Sequence, residues 1–293
     1  MTSAVRSLDG HTTTLSGVSN RTGSRLVLIG AFVLVAAFAF FPIYWMAVTS
    51  VTPRDQVFAF PPRFFPTAIT LEYYADFFNN PALLRYLLNS FIVAGATAIS
   101  SVAIGVYAGY SFSKFRYTGR RALMFLILSA QMFPQTLLLI TLYLLFARLG
   151  LLNSYWGLIL AFTSFTLPLC VWTLKGYFDT LPDELIEAAK VDGASQLTII
   201  HRILLPIARP ALISTFLFAF IRGWNDFIYS LTLGGPDYMT LPPGLVLTYM
   251  GEFQTSWPNL MASSLIVSLP VVVLYMVMQR YIVAGLSSGA VKG

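Results

Sequence analysis

Charged side chains are what this sequence has least of. Asp, Glu, Lys and Arg together make up 10% of its 293 residues, against roughly 25% in an ordinary soluble domain. So few charges cannot cover a water-facing surface, which excludes a soluble enzyme, a disordered protein and a nucleic-acid-binding domain. Cysteine occurs once, as Cys170 in an apolar stretch; this excludes a disulfide framework and a cysteine-ligated metal site. His11 and His201 are the sole histidines, so there is no HExxH zinc motif. None of the four lysines, Lys114, Lys175, Lys190 and Lys292, stands in a GxxxxGK[ST] phosphate loop. A relay of intramembrane carboxylates is missing too, because only Asp226 lies clearly inside an apolar run. No metal and no catalytic group is expected. The chain reads as a fraction of a machine whose energy source lies elsewhere.

What is abundant is apolar surface: 57% of the residues are hydrophobic and the mean hydropathy is +0.73. A bilayer core of about 30 Å takes roughly 20 apolar residues of helix, and the charge-free runs supply six candidates. They fall at about 26–48, 88–112, 122–146, 155–174, 211–233 and 259–279, with Arg222 and Asp226 inside the fifth. Pro42, Pro134, Pro168 and Pro270 lie inside or near the ends of these spans, where neighbouring helices can satisfy freed carbonyls. The expected fold class is all-α, a polytopic membrane protein with six transmembrane helices.

Lys and Arg set the orientation. Thirteen fall on one side: Arg6, Arg21, Arg25, Lys114, Arg116, Arg120, Arg121, Lys175, Lys190, Arg202, Arg209, Arg280 and Lys292. Five fall on the other: Arg54, Arg63, Arg85, Arg148 and Arg222. Both termini are therefore expected in the cytoplasm, as an even number of spans requires. The Ser-, Thr- and Gly-rich residues 1–24 read as a disordered tail. The first span exceeds a signal-peptide core and reads as an uncleaved anchor.

The long cytoplasmic stretch, 175–210, is highly organised. Thr180-Leu181-Pro182-Asp183 reads as a capping box with Pro in the first turn, and Asp183, Glu184 and Glu187 suit a helix start. The helix meets Gly193, a left-handed cap. Leu181, Leu185, Ala188, Ala189 and Asp192 form an apolar face of low profile, open to close approach by another surface. A second helix is expected from about Ser195 to Leu205, stopping at Pro206, with Pro210 opening the fifth span.

Glu187-Ala188-Ala189, Asp192-Gly193-Ala194, Ile203-x-Leu205-Pro206 and Pro210 follow the spacing EAA–x2–DGA–x8–I–x–LP–x3–P. This resembles the "EAA" loop of inner-membrane permease subunits of binding-protein-dependent ABC importers, whose fold is termed MetI-like. Lys114–Arg121, Gly223–Phe227 and the tail from Gln279 to Gly293 resemble the sugar branch, on the MalG-like side of the maltose-type pair. The resemblance covers about residues 25–293. It implies a permease domain over 25–280, including the loop 175–210, and a cytoplasmic tail over 281–293. It implies a multi-pass protein of the cell membrane that is not an enzyme and binds no cofactor, ATP being used by partner subunits. Those partners are a second permease, two copies of a cytoplasmic ATPase and an extracytoplasmic binding protein that delivers a sugar. The EAA helix is then the coupling helix, with Glu187, Ala188, Ala189, Asp192 and Gly193 as the ATPase contact. A permease for glycerol phosphate esters or another polar solute is the alternative within the superfamily; a self-contained channel or carrier is the alternative outside it.

Polar residues inside the spans are candidates for the solute pathway. Arg222 and Asp226, at i and i+4, are expected to pair or to face a water-filled cavity. Trp224 and Asn225 beside them offer a stacking face and an amide suited to a sugar. This set reads equally as a structural pair. Gln131 and Gln135, with Pro134 and Thr136, either line the cavity or make polar helix contacts. Asn89 and Ser90, near the outer interface, are assigned no role. Segments 49–87 and 234–258 read as extracytoplasmic loops. By resemblance, the second reaches into the binding protein and the tail touches the ATPase; an inert connector and a frayed terminus fit as well.

Overall fold

The computed structural model describes the backbone of residues 21–251 and 255–290, with side chains over 25–251 and 255–281. Among these residues there is no strand, only an isolated bridge between Met250 and Thr255. The helices are α1 (Arg21–Val51), α2 (Glu72–Asn79), α3 (Pro81–Lys114), α4 (Arg120–Ser129), α5 (Gln135–Leu149), α6 (Tyr155–Asp179) and α7 (Glu184–Val191). They continue with α8 (Gln196–Thr198), α9 (Leu205–Ile207), α10 (Arg209–Trp224), α11 (Ile228–Leu233), α12 (Gly235–Tyr238), α13 (Leu241–Tyr249) and α14 (Trp257–Ala290).

Among the described residues four helices, at 25–51, 81–114, 155–180 and 257–281, are each long and apolar enough to cross a membrane. Two bent pairs bring the number to six if each pair is one span. The third expected span is one of them: the helical run 120–132, α4 with a closing 3-10 turn, meets α5 at 99° across a break at Phe133–Pro134. Proline causes it. Pro134 cannot donate to the helix ladder, and Phe133 before it is forced extended, at φ −78° and ψ 131°.

The fifth expected span is also interrupted. α10 stops at Trp224 and the chain resumes as α11 at Ile228. The Asp226 carboxylate accepts from the Ser230 backbone N–H at 3.0 Å, satisfying a donor at the start of α11 at the expense of a continuous helix. At its other end α10 bends by 83° from the helical run 196–207. The sixth helix runs past the expected 279. Its backbone is helical through Ala290, into the segment read as a tail, and 291–293 lie outside the described residues. Residues 1–20 of the N-terminal tail also lie outside them.

α1 carries exposed apolar side chains along its length, from Leu26 to Ile43. The core over residues 47–290 is built on α3 and α6, which run side by side in parallel. Small residues let them meet: a Cβ on Gly109 would stand 3.0 Å from the Lys175 backbone nitrogen, and one on Gly105 3.2 Å from the Leu174 side chain. Ser101 and Thr166 share a hydrogen bond of 2.6 Å in this seam, where neither hydroxyl has water to turn to. Cys170 is fully buried beside it. α10 packs antiparallel across the pair at Gly223, where a Cβ would stand 3.1 Å from the Ala94 Cα.

Candidate functional site

Two sites follow from this frame, one at the segment between α6 and α10 and one among the long apolar helices. In the first, α7 lies after α6 with Ile186 and Ala189 buried against Tyr110, Phe178 and Ile199. The opposite face carries Glu184, Glu187, Ala188 and Val191, all exposed. Gly193 adopts φ +77°, the left-handed cap that lets Ala194 N–H bond Ala189 at 2.9 Å and turns the chain.

The expected capping box does not form. The Thr180 hydroxyl donates to the Tyr177 carbonyl at 2.7 Å, and the Asp183 carboxylate is taken by the Lys114 ammonium at 2.7 Å. Both side chains are engaged elsewhere, so α7 starts without a side-chain cap. The second helix is also different in kind. Between α8 and α9, residues Ile199–Leu204 form a π-helical stretch, with Leu205 N–H bonding Ile200. The wider π turn carries the helix through Pro206 to Ile207, instead of stopping there.

Sequence reasoning missed what holds this segment. Lys114, the last residue of α3, is 10% exposed and donates both to Asp183 and to the Leu181 carbonyl at 2.7 Å. Its charge and hydrogen bond hold the Asp183 carboxyl below its usual range. Tyr110 donates to Gln196 at 2.7 Å and Ser113 to Asp179 at 2.8 Å. The helical spacing of Tyr110 and Lys114 relative to a span end was the available signal. Val191 was missed as well; at 87% exposure it is the most exposed large apolar side chain on α7.

In the membrane, the two helix breaks face each other. A cavity of about 440 Å³ lies between them, lined by Gln135 and Thr136 on one side and by Arg222, Asn225 and Asp226 on the other. The Arg222 guanidinium donates to the Gln135 side-chain oxygen at 3.2 Å. It makes no ion pair with Asp226, whose carboxylate is committed to Ser230. Of the two arrangements expected, the i, i+4 pairing is not made, because the helix ends between the two residues, and both line the cavity instead. The Tyr229 hydroxyl donates to the Gln135 carbonyl at 2.5 Å and ties the two breaks together.

The other two candidates sit differently. Gln131 opens on an adjoining cavity of about 290 Å³ that Gln135 also lines, and its amide donates to the Phe165 carbonyl at 2.7 Å. Trp224 is 1% exposed. Its indole packs against Phe220 and Phe91, with ring centroids at 5.4 and 4.8 Å, so the stacking face expected for a sugar is already covered.

Towards the start of α3, Asn89 and Ser90 have partners after all. Asn89 is fully buried and donates to the Asp237 and Met239 carbonyls, both at 2.9 Å, while accepting from the Tyr155 hydroxyl at 2.7 Å. Ser90 accepts the Leu241 N–H at 2.8 Å. The expected loop 234–258 is thus largely packed structure: α12 and α13 fold back onto α3, with Leu241, Pro243, Gly244 and Leu245 buried. Residues 252–254 of it lie outside the described residues.

The geometry describes a bundle of long apolar helices with a short helix, α7, bare on its outer face and a polar cavity at two helix breaks. Comparison with known proteins agrees with it. The family model of the binding-protein-dependent transport system inner membrane component matches residues 101–288. The trehalose/maltose transport system permease protein MalG of Thermococcus litoralis is 36% identical over 278 residues, covering 92% of this chain and 97% of its own. The inner membrane ABC transporter permease protein YcjP of Escherichia coli is 35% identical over 278 residues, with 94% and 99% covered. Among solved structures, a chain of a bacterial ABC transporter that imports the acidic polysaccharide alginate aligns with a TM-score of 0.75 at 24% identity, covering 89% of this chain and 98% of that one. This chain belongs to the family of inner membrane components of binding-protein-dependent transport systems, as a multi-pass permease of the ABC importer type.

Proposed function

We propose that the chain pairs with a second, homologous permease to form the path for a sugar that a solute-binding protein delivers, two copies of a cytoplasmic ATPase driving the cycle. The observation that carries this reading is α7. A short helix whose inner face is fixed by Ile186 and Ala189 and whose outer face is left bare at Glu187, Ala188 and Val191 is suited to seat in another protein. Asp192 and Gly193, also exposed, complete the ATPase contact. Closure of the ATPases on nucleotide moves this contact, and the permease pair switches from inward- to outward-facing. Both termini lie on the ATPase side. The chain itself binds no cofactor and performs no chemistry.

The cavity at Gln135, Arg222, Asn225 and Asp226 is this subunit's part of the solute path, with Gln131 beside it. Amides, a cation and a carboxylate around about 440 Å³ suit a polar, hydroxylated solute. The relatives named above, whose names include trehalose and maltose, support a sugar. The exposed Arg222 guanidinium favours a second reading, a solute that also bears an anionic group such as a glycerol phosphate ester. Calorimetry on the cognate solute-binding protein, titrated with neutral disaccharides and with a phosphate ester, separates the two. Heat of binding from the disaccharides alone supports the sugar; heat from the phosphate ester alone replaces it. Co-purification tests the assembly: the ATPase and a second permease should follow this chain through detergent, whereas a pure, active homo-oligomer contradicts it.

A further inference from the structure

α3 carries polar clasps at its two ends and a locked seam between them. At the cytoplasmic end Tyr110, Ser113 and Lys114 hold Gln196, Asp179, the Leu181 carbonyl and Asp183. At the outer end Asn89 and Ser90 hold Asp237, Met239 and Leu241 of the re-entrant segment 235–249, and Arg85 reaches Asp237 at 2.6 Å. The exposed Arg85–Asp237 pair adds little. Asn89 is the strong point, because its own side chain is fully buried and makes three hydrogen bonds there.

The outer segment depends on these side chains. Its backbone donors at Thr240 and Leu241 go to no helix carbonyl; the Ser230 and Ser90 hydroxyls accept them, at 2.7 and 2.8 Å. Between the two clasps, Gly105, Gly109 and the Ser101–Thr166 bond fix α3 against α6, so the helix cannot slide along its neighbour without breaking close packing. Asn89 and Lys114 stand about 38 Å apart along the axis at 1.5 Å per residue.

We infer that α3, locked to α6, is a rod that makes the ATPase-coupling segment 179–201 and the outer segment 235–249 move as one body, with Lys114 and Asn89 as its positioning residues. The inference rests on the proposed docking of α7 to an ATPase and adds to it the route by which the outer face reports to that contact. A binding protein pressing on the outer segment displaces α3, and Lys114 passes the displacement to Asp183 at the start of α7. Neither residue needs to touch solute or nucleotide.

The test uses the whole importer in lipid nanodiscs: this chain, its partner permease, the ATPase and the solute-loaded binding protein. Wild type establishes the baseline; if the binding protein fails to raise its ATP hydrolysis, the transport reading falls and the rod with it. Given that stimulation, Lys114→Met and Asn89→Leu should each lower it about tenfold, a typical coupling energy between sites. Unstimulated hydrolysis, co-purified ATPase and binding-protein affinity should not change. Lys114→Arg should restore stimulation. The double variant should be no worse than either single one, since a rod cut at one end transmits nothing. Where Asn89→Leu does not assemble, Ser90→Ala takes its place in the cycle. Losses that multiply in the double variant overturn the inference. So does full stimulation in assembled Lys114→Met, or an Asn89→Leu defect that vanishes at saturating binding protein.

Discussion

The Arg222 guanidinium donates to the Gln135 side chain at 3.2 Å, joining the two places where apolar spans of this protein break. Gln135 opens α5 immediately after Pro134, and Arg222 stands two residues before the end of α10. The bond crosses the wall of the polar cavity that the two breaks create. A guanidinium that lines a cavity and is held by a neutral amide keeps donors free for a passing solute.

Arg222→Ala should therefore lower solute uptake by proteoliposomes roughly tenfold, since a hydrogen bond to a charged group contributes about 1.5–3 kcal/mol. Unfolding temperature should move little, because the side chain is exposed. Asn225→Ala should also slow uptake. Unchanged uptake in both variants, with a lowered unfolding temperature, makes the pair a structural device instead.

Gly193→Val should uncouple the importer. At φ +77° a side chain costs about 1–2 kcal/mol even before branching, and the strain falls on the turn that fixes the end of α7. ATP hydrolysis should persist while uptake is lost. Gly193→Asn, which tolerates this backbone, should retain part of the coupling. Equal uptake by Gly193→Val at normal expression contradicts the assignment.

The Lys114–Asp183 clasp sets a pH dependence. Asp183 is held below its ordinary range by the ammonium it binds. A folded pKa that is lowered contributes stability above the unfolded value and loses it as pH falls through the folded one. The clasp should therefore survive acidification to about pH 4, the ordinary aspartate value, and open only below it. Following the Asp183 carboxyl carbon by NMR checks this. Lys114→Met should return its titration to the ordinary range, and an unchanged titration removes the clasp.

The α3–α6 seam predicts opposite outcomes at two glycines. Gly109→Val forces a branched side chain towards the Lys175 backbone, 3.0 Å from the first added carbon, and overpacking of this kind costs about 1–3 kcal/mol. Gly176 has open space around it, and Ala there should be neutral or stabilising by about 0.5–1 kcal/mol. Thermal unfolding in detergent distinguishes them. Gly109→Val with a wild-type transition sinks the seam.

The sequence carried the spans, the glycine cap and the EAA spacing because each rests on local chemistry: charge-free length, a left-handed turn, a fixed run of residues. It did not carry the two bends in full. Pro134 was visible but read as tolerated inside a single span, and the interruption after Trp224 depends on Asp226 reaching Ser230, a choice made between competing hydrogen bonds. Partners distant in the chain were out of reach altogether. Asn89 and Asp237 are separated by 148 residues, and no periodicity joins them. Likewise Thr180 and Asp183 have the residue types of a capping box, yet Lys114 claims one of them from another helix. Trp224 was drawn towards the solute by its chemistry, whereas packing against Phe91 and Phe220 puts it in the core.

The central claim is that the bare face of α7 is seated in an ATPase. A single cysteine at Val191, introduced as Val191→Cys with Cys170→Ala, tests it by maleimide labelling in membranes. Rapid labelling of the chain expressed alone, protection once the ATPase is co-expressed, and a cross-link from this position to the ATPase are expected. Equal labelling with and without the ATPase, and no cross-link in a transport-competent complex, would contradict it.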